Sequence, residues 1–240
     1  MSPYVLVHGA FRGGWAWARV RTRLLAAGHD VQAPSLAGAG ERAAHHVSGL
    51  STWVDELTDL LVLEDLHDVV LVGHSQGGVV VREVALRVPR RLRRLVYLDA
   101  AVPDPGERAV DLGPPPPHPH SLPPRDTLVP ARPLEPGGDL DVATAEWINA
   151  RLTPTPLAPS LDPVADALPD VPATYAFCTG TPATYPSGTT RRRLDERGTG
   201  YVLLDAGHDA PLTRPDAVAE LLLRAADRTT TIIGTEERTA

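Results

Sequence analysis

The sequence predicts an α/β protein with a mostly parallel sheet of about six strands flanked by helices, because short apolar runs alternate with amphipathic segments along the chain. The runs at 4–7, 29–33, 69–72, 95–98, 174–177 and 201–204 are rich in Val, Leu or Tyr and bounded by Gly, Pro or Asp, as buried strands are. Segments with helical periodicity lie at 15–27, 52–63, 77–88 and 215–226. This alternation implies right-handed crossovers and a sheet covered on both faces.

In chain order, Tyr4-Val5-Leu6-Val7 is the first strand and stops at His8-Gly9, and the helix at 15–27 leads back to the strand at 29–33. The helix at 52–63 precedes Val69-Val70-Leu71-Val72, which runs into a glycine-flanked turn and the helix at 77–88. The strand at 95–98 ends at Asp99, and the strands at 174–177 and 201–204 precede the closing helix, which has Pro215 at its start. One stretch breaks the pattern: 18 of the 25 prolines fall between Pro103 and Pro172. Proline lacks the ladder donor, so that density does not fit a central parallel strand. Residues 103–172 therefore read as a cap insert over the end of the sheet, with a short helix around 142–152, and the core comprises 1–102 and 173–226. The polar, Thr-rich tail 227–240 is expected to fray.

A length of 240 residues fits one domain with an insert better than two domains. The 30 acidic residues against 23 basic ones give a net charge of -7, which disfavours nucleic acid or an anionic membrane as partner. Every basic residue is Arg, so Schiff-base chemistry, a P-loop lysine and a lysine general acid are excluded. Cys178 is the only cysteine, which excludes an internal disulfide and a thiolate metal cluster. No apolar stretch approaches the roughly 20 residues of a membrane span, and Met1-Ser2-Pro3-Tyr4 lacks the regions of a signal peptide, so a cytoplasmic location is expected.

Chemistry concentrates where the strands end. Gly73-His74-Ser75-Gln76-Gly77 is a G-x-S-x-G pattern between a strand and a helix, the setting in which a sharp turn lifts a serine above the sheet. Gly73 and Gly77 relieve clashes in that turn, and the following amide, of Gln76, points at an acyl oxygen. His8-Gly9-Ala10-Phe11 ends the first strand, and the amide of Ala10 is the candidate second donor to an oxyanion. His208 follows the last strand; parallel strands share a carboxyl edge, so its imidazole can reach Ser75 as a general base. Phe11 and Trp147 are candidate pocket residues, with core packing the alternative for the tryptophan. His118-Pro119-His120 has no further ligand at recognisable spacing, and Gly38-Ala39-Gly40-Glu41-Arg42-Ala43 lacks a strand-turn-helix setting, so no metal and no nucleotide cofactor are expected.

Three motifs together, His8-Gly9-Ala10-Phe11-Arg12-Gly13-Gly14-Trp15-Ala16-Trp17, Gly73-His74-Ser75-Gln76-Gly77-Gly78 and Gly207-His208-Asp209-Ala210-Pro211-Leu212, resemble the α/β-hydrolase superfamily, in the branch of methyl esterases, hydroxynitrile lyases and their bacterial esterase-like relatives. The resemblance covers nearly the whole chain apart from the proline-rich insert and the tail. It implies an α/β-hydrolase fold, no cofactor, Ser75 as nucleophile, His208 as base, and an oxyanion hole from Ala10 and Gln76. Two departures matter. Lyases of this branch carry a lysine just after the catalytic histidine, where this chain has Asp209. The usual position of the triad acid holds Thr181, a neutral hydroxyl.

Asp99, one strand beyond the nucleophile, is the acid expected instead; Asp104 is the reserve, and a turn-capping role is the alternative for Asp99. Asp205 and Asp209 lie too near His208 in the chain to turn back onto its ring. The expected activity is cleavage or transfer of the acyl group of a small carboxylic ester, thioester or lactone, with a small-molecule acyl substrate as partner and the oligomeric state left open. The alternative is a hydrolase-fold protein of weak hydrolytic power that binds a ligand or guides a rearrangement or cyclisation in natural-product biosynthesis.

Overall fold

A computed structural model describes residues 2–114 and 122–227; His118, His120 and all of the tail beyond Asp227 lie outside it. Its elements, in order, are β1 (Tyr4–Val7), α1 (Ala18–Ala26), β2 (Val31–Gln32), α2 (Leu50–Leu63), β3 (Val69–His74), α3 (Gly77–Arg87), β4 (Leu92–Leu98), β5 (Leu128–Val129), α4 (Val142–Asn149), β6 (Thr155–Pro156), α5 (Ala158–Leu161), β7 (Ala173–Cys178), α6 (Pro186–Glu196), β8 (Val202–Leu204), α7 (Ala210–Thr213) and α8 (Pro215–Ala226). Six strands form one sheet in the order β2-β1-β3-β4-β7-β8, and every pairing in it is parallel.

Period-two alternation sends the central strands' side chains to opposite faces. Tyr4, Leu6, Val70, Val72, Val96 and Leu98 pack with Val20 and Leu24 of α1 and Leu221 and Leu222 of α8. Val5, Val7, Leu71, Leu95 and Tyr97 pack on the other face against Leu57 of α2 and Val80 and Val84 of α3. Burying one such side chain contributes about 1.5–3 kcal/mol. A one-residue slip of β3 would exchange its two faces, so the register is strongly specified. That register sets His74 beside Leu98 and Leu98 beside Ala176, which aligns the ends of β3, β4 and β7.

Two elements differ from the sequence pattern. The helix expected over 15–27 begins as a tight 3-10 turn, Gly14–Trp17, before α1. No helix is expected over 186–196, yet α6 forms there; it buries only Ser187, Thr190 and Leu194, too few apolar residues to announce a helix. Between β4 and β7 the described residues contain the antiparallel pair β5–β6 and the helices α4 and α5. Ile148 of α4 packs with Ala16 and Leu212, which seats this segment beside the loop after β1. No helix among the described residues is long and apolar enough to cross a membrane.

Candidate active site

β3 delivers the chain into a turn in which Ser75 adopts a φ of 54°, a left-handed conformation that costs a side chain on the order of 1–3 kcal/mol. The turn is over-determined. Ser75 N donates to Leu98 O at 3.2 Å, and Gly78 N and Ala101 N donate to Ser75 O at 3.1 and 3.0 Å. A Cβ on Gly77 would stand 2.7 Å from Val7 O, and one on Gly73 2.7 Å from Gly77 O, so neither position admits a side chain.

The aligned strand ends bring three sequence-predicted residues into one hydrogen-bonded row. Ser75 Oγ lies 3.0 Å from His208 Nε2, and His208 Nδ1 lies 2.6 Å from Asp99 Oδ2. Asp99, at the end of β4, is also left-handed, with a φ of 44°, and its N donates to Ala176 O at 2.7 Å. Its carboxylate accepts two more bonds, from Thr181 Oγ1 at 2.5 Å and Cys178 N at 3.4 Å. Burial raises the Asp99 pKa, but the bonds and charge of His208 and the Thr181 hydroxyl outweigh it, so the carboxyl stays below its usual range. With Nδ1–H given to the carboxylate, Nε2 is left to accept the serine proton.

The other carboxylates considered from sequence have different partners. Asp104 pairs with Arg197 at 2.5 Å and Arg193 at 3.3 Å, and Asp205 meets Thr179 Oγ1 at 3.5 Å. Asp209 accepts from Arg12 Nε at 2.7 Å and from a terminal guanidinium nitrogen at 2.8 Å. Arg12 also donates to Ala10 O at 3.1 Å, so one largely buried ion pair ties the loop after β1 to the loop bearing His208. Nothing local in the sequence announces a pair 197 residues apart.

Further side chains seat the imidazole. The Tyr185 ring meets that of His208 edge-on at 4.8 Å, and His74 packs against it at 4.8 Å from below while its Nε2–H donates to His208 O at 2.8 Å. Burial, then the neighbouring His208, pushes the His74 pKa down to about 3, so it remains neutral. Asp139, in the stretch between β5 and α4, accepts from Gly207 N at 3.0 Å and Thr213 Oγ1 at 2.6 Å. His8 holds the loop after β1: its Nδ1–H donates to Gly9 O at 2.9 Å and its Nε2 accepts from Leu36 N at 3.1 Å. Burial lowers its pKa to about 4.

Ser75 and His208 open onto a cavity of about 560 Å³, lined by Ala10, Phe11 and Gln76 from the sheet edge and by apolar side chains such as Val110, Val129 and Leu157 from 103–172. Phe11, with a φ of 66°, has its backbone taken up by the far wall: its N donates to Thr155 Oγ1 at 2.5 Å and its O accepts from Thr153 N at 3.0 Å. The amides of Ala10 and Gln76 make no hydrogen bond among the described residues. The Gln76 side chain reaches across to Ser160 Oγ at 2.8 Å. The expectation that Trp147 lines the pocket is corrected. Its ring packs edge-on against Trp15, 5.4 Å between centroids, with the Arg151 guanidinium 4.1 Å over it, because α4 turns this face to the cluster around Ala16 and Leu212. Among the described residues no group of three or more His, Cys, Asp or Glu side chains is placed to hold a metal.

A parallel sheet with a serine elbow, a histidine loop and an aspartate at its carboxyl edge is the construction of an α/β hydrolase. The chain matches the Alpha/beta hydrolase family over residues 4–221 and belongs to it. It is 44% identical over 118 residues to the carbendazim hydrolyzing esterase of Nocardioides sp. (strain SG-4G), 48% of each chain. It is 38% identical over 104 residues to methylesterase 3 of Arabidopsis thaliana, 42% of this chain and 40% of that one. The matches thus span less than half the length of these relatives. An extracellular alpha/beta-hydrolase from a Paenibacillus species superposes with a TM-score of 0.75 at 25% identity, covering 94% of this chain and 99% of that one. Polyneuridine aldehyde esterase shares the fold, with a TM-score of 0.74 at 22% identity over 95% of this chain and 100% of that one.

Proposed function

We propose that the protein is a serine esterase that cleaves or transfers the acyl group of a small carboxylic ester, thioester or lactone through a covalent intermediate on Ser75. The observation that carries this reading is the hydrogen-bonded row Ser75–His208–Asp99 at the floor of a largely apolar cavity. His208 Nε2 takes the hydroxyl proton as Ser75 Oγ bonds to the carbonyl carbon, and the carbonyl electron pair moves onto oxygen. The amides of Ala10 and Gln76 hold that oxyanion. Collapse expels the alcohol or thiol, which leaves with the proton from His208, and the acyl group stays on Ser75. Water or an acceptor alcohol then gives its proton to Nε2 and attacks, and Ser75 recovers the proton as the acyl product departs. Asp99 fixes the tautomer and stabilises the imidazolium, an effect that reaches about 10⁴-fold in turnover in such triads.

Esterases among the relatives support this chemistry. Residues 103–172 act as a cap that shapes the acyl pocket over the core of 1–102 and 173–226. The engagement of Asp209 by Arg12 favours hydrolysis over the lyase chemistry of the branch. A fluorophosphonate probe should label the protein stoichiometrically at Ser75, and Ser75→Ala should lose label and about 10⁶-fold in turnover while keeping its melting temperature. Absence of labelling, or a variant retaining more than roughly a tenth of turnover, would overturn the proposal.

A further inference from the structure

Two arginines line the catalytic cavity, and they differ in one respect. Arg12 is buried and spent on Asp209. Arg132 is exposed at the cavity wall and has no hydrogen bond, ion pair or ring contact among the described residues. The cavity's one lining carboxylate, Asp99, is engaged by His208 and Thr181. Among the described residues, Arg132 is therefore the one uncompensated charge on a largely apolar wall that includes Phe11, Val129, Pro130, Leu134 and Leu157. It stands in Pro130-Ala131-Arg132-Pro133, and two prolines with fixed φ reduce the backbone freedom that holding a guanidinium in place would otherwise cost. A planar guanidinium with free N–H donors matches a carboxylate in a bidentate geometry.

We propose that Arg132 makes this an esterase for anionic esters, in which an apolar body carries a carboxylate at the end remote from the scissile bond. The inference rests on the Ser75 acyl-enzyme reading and names its substrate class. The net charge of -7 repels anions from the protein as a whole, so an anionic preference has to come from a local cation.

Two matched ester pairs test it. In the first the charge is on the acyl side, mono-p-nitrophenyl glutarate against p-nitrophenyl pentanoate. In the second it is on the alcohol side, 4-acetoxybenzoate against 4-methylphenyl acetate. Intrinsic reactivity cancels when the charged-to-neutral ratio of kcat/KM is compared between wild type and variant. In at least one pair Arg132→Ala should lower that ratio about five- to tenfold and Arg132→Glu further. The wild-type preference should also shrink with added salt. A ratio insensitive to both substitutions in both pairs would overturn the assignment while leaving the acyl-enzyme reading intact. Failure of wild type to hydrolyse any of the four esters would sink both.

Discussion

The carboxyl edge of the sheet and the segment 103–172 line the same cavity, but they are built by opposite means. The edge is set by the register of β3, β4 and β7, whose carboxyl-terminal halves are buried, so that Ser75 and Asp99 emerge at fixed positions in strained, over-determined conformations. The segment offers Val110, Val129 and Leu157 from turns, a two-residue strand pair and short helical stretches punctuated by proline. Reacting atoms tolerate misplacement of only a fraction of an ångström, whereas pocket walls tolerate variation. The proposed function ties chemistry to the rigid edge and acyl selection to the segment, a division that can be broken at either side.

The largest effect is expected at Asp99. Asp99→Asn should cut kcat about 10⁴-fold with little change in melting temperature. Thr181→Ala, which removes one donor to the same carboxylate, should cost about tenfold or less, the worth of a single hydrogen bond. Equal losses in the two variants would erase the distinction between acid and support.

Next comes the tie between the two loops. Arg12→Met strands the largely buried Asp209 carboxylate and should cost about 3 kcal/mol of stability, the low end for broken buried pairs. Arg12→Met combined with Asp209→Leu should recover most of that stability, because no charge remains unpaired. Denaturant titration reads the stability, and a kcat that stays low in the restored double variant would show that the pair positions Ala10 and His208 rather than merely holding the fold.

Smaller is the response of stability to acid. The unfolded chain binds a proton at His8 below its ordinary pKa of 6.5, whereas the folded chain refuses it down to about 4. Protons therefore favour unfolding across that window, and stability is lost as pH falls through it. By pH 5 the loss from His8 alone is about 2 kcal/mol. His74, held down to about 3, adds to the loss in the same direction. Melting curves from pH 7 to 5 should show the decline, and a flat profile would mean that water reaches these rings. Smallest is Leu157→Ala, which should alter the ratio of long to short acyl substrates a few-fold, about what one or two methylenes are worth in a pocket, and leave kcat for an acetyl ester intact.

Much of the rigid edge was legible in the sequence, because buried parallel strands spell themselves as runs such as Val69-Val70-Leu71-Val72 and the elbow and histidine motifs are local. Legibility fell where structure depends on partners distant in the chain. β5 and β6 are two residues each and pair only with one another, and α6 is polar along most of its length. The Arg12–Asp209 pair, the Asp139 contact to Gly207 and the Thr181 donation to Asp99 each join residues more than 60 positions apart. Trp147 reads in the sequence as a pocket candidate with core packing as its alternative, and the orientation of α4 decides that its ring meets Trp15.

Passage of the acyl group through Ser75 Oγ can be read directly by rapid-quench intact-mass spectrometry with a p-nitrophenyl ester. An acyl-enzyme on Ser75 should give a burst of p-nitrophenol that matches the enzyme concentration, an added mass equal to the acyl group, and its location on the peptide containing Ser75. An acyl mass found elsewhere, or a burst undiminished in Ser75→Ala, would contradict it.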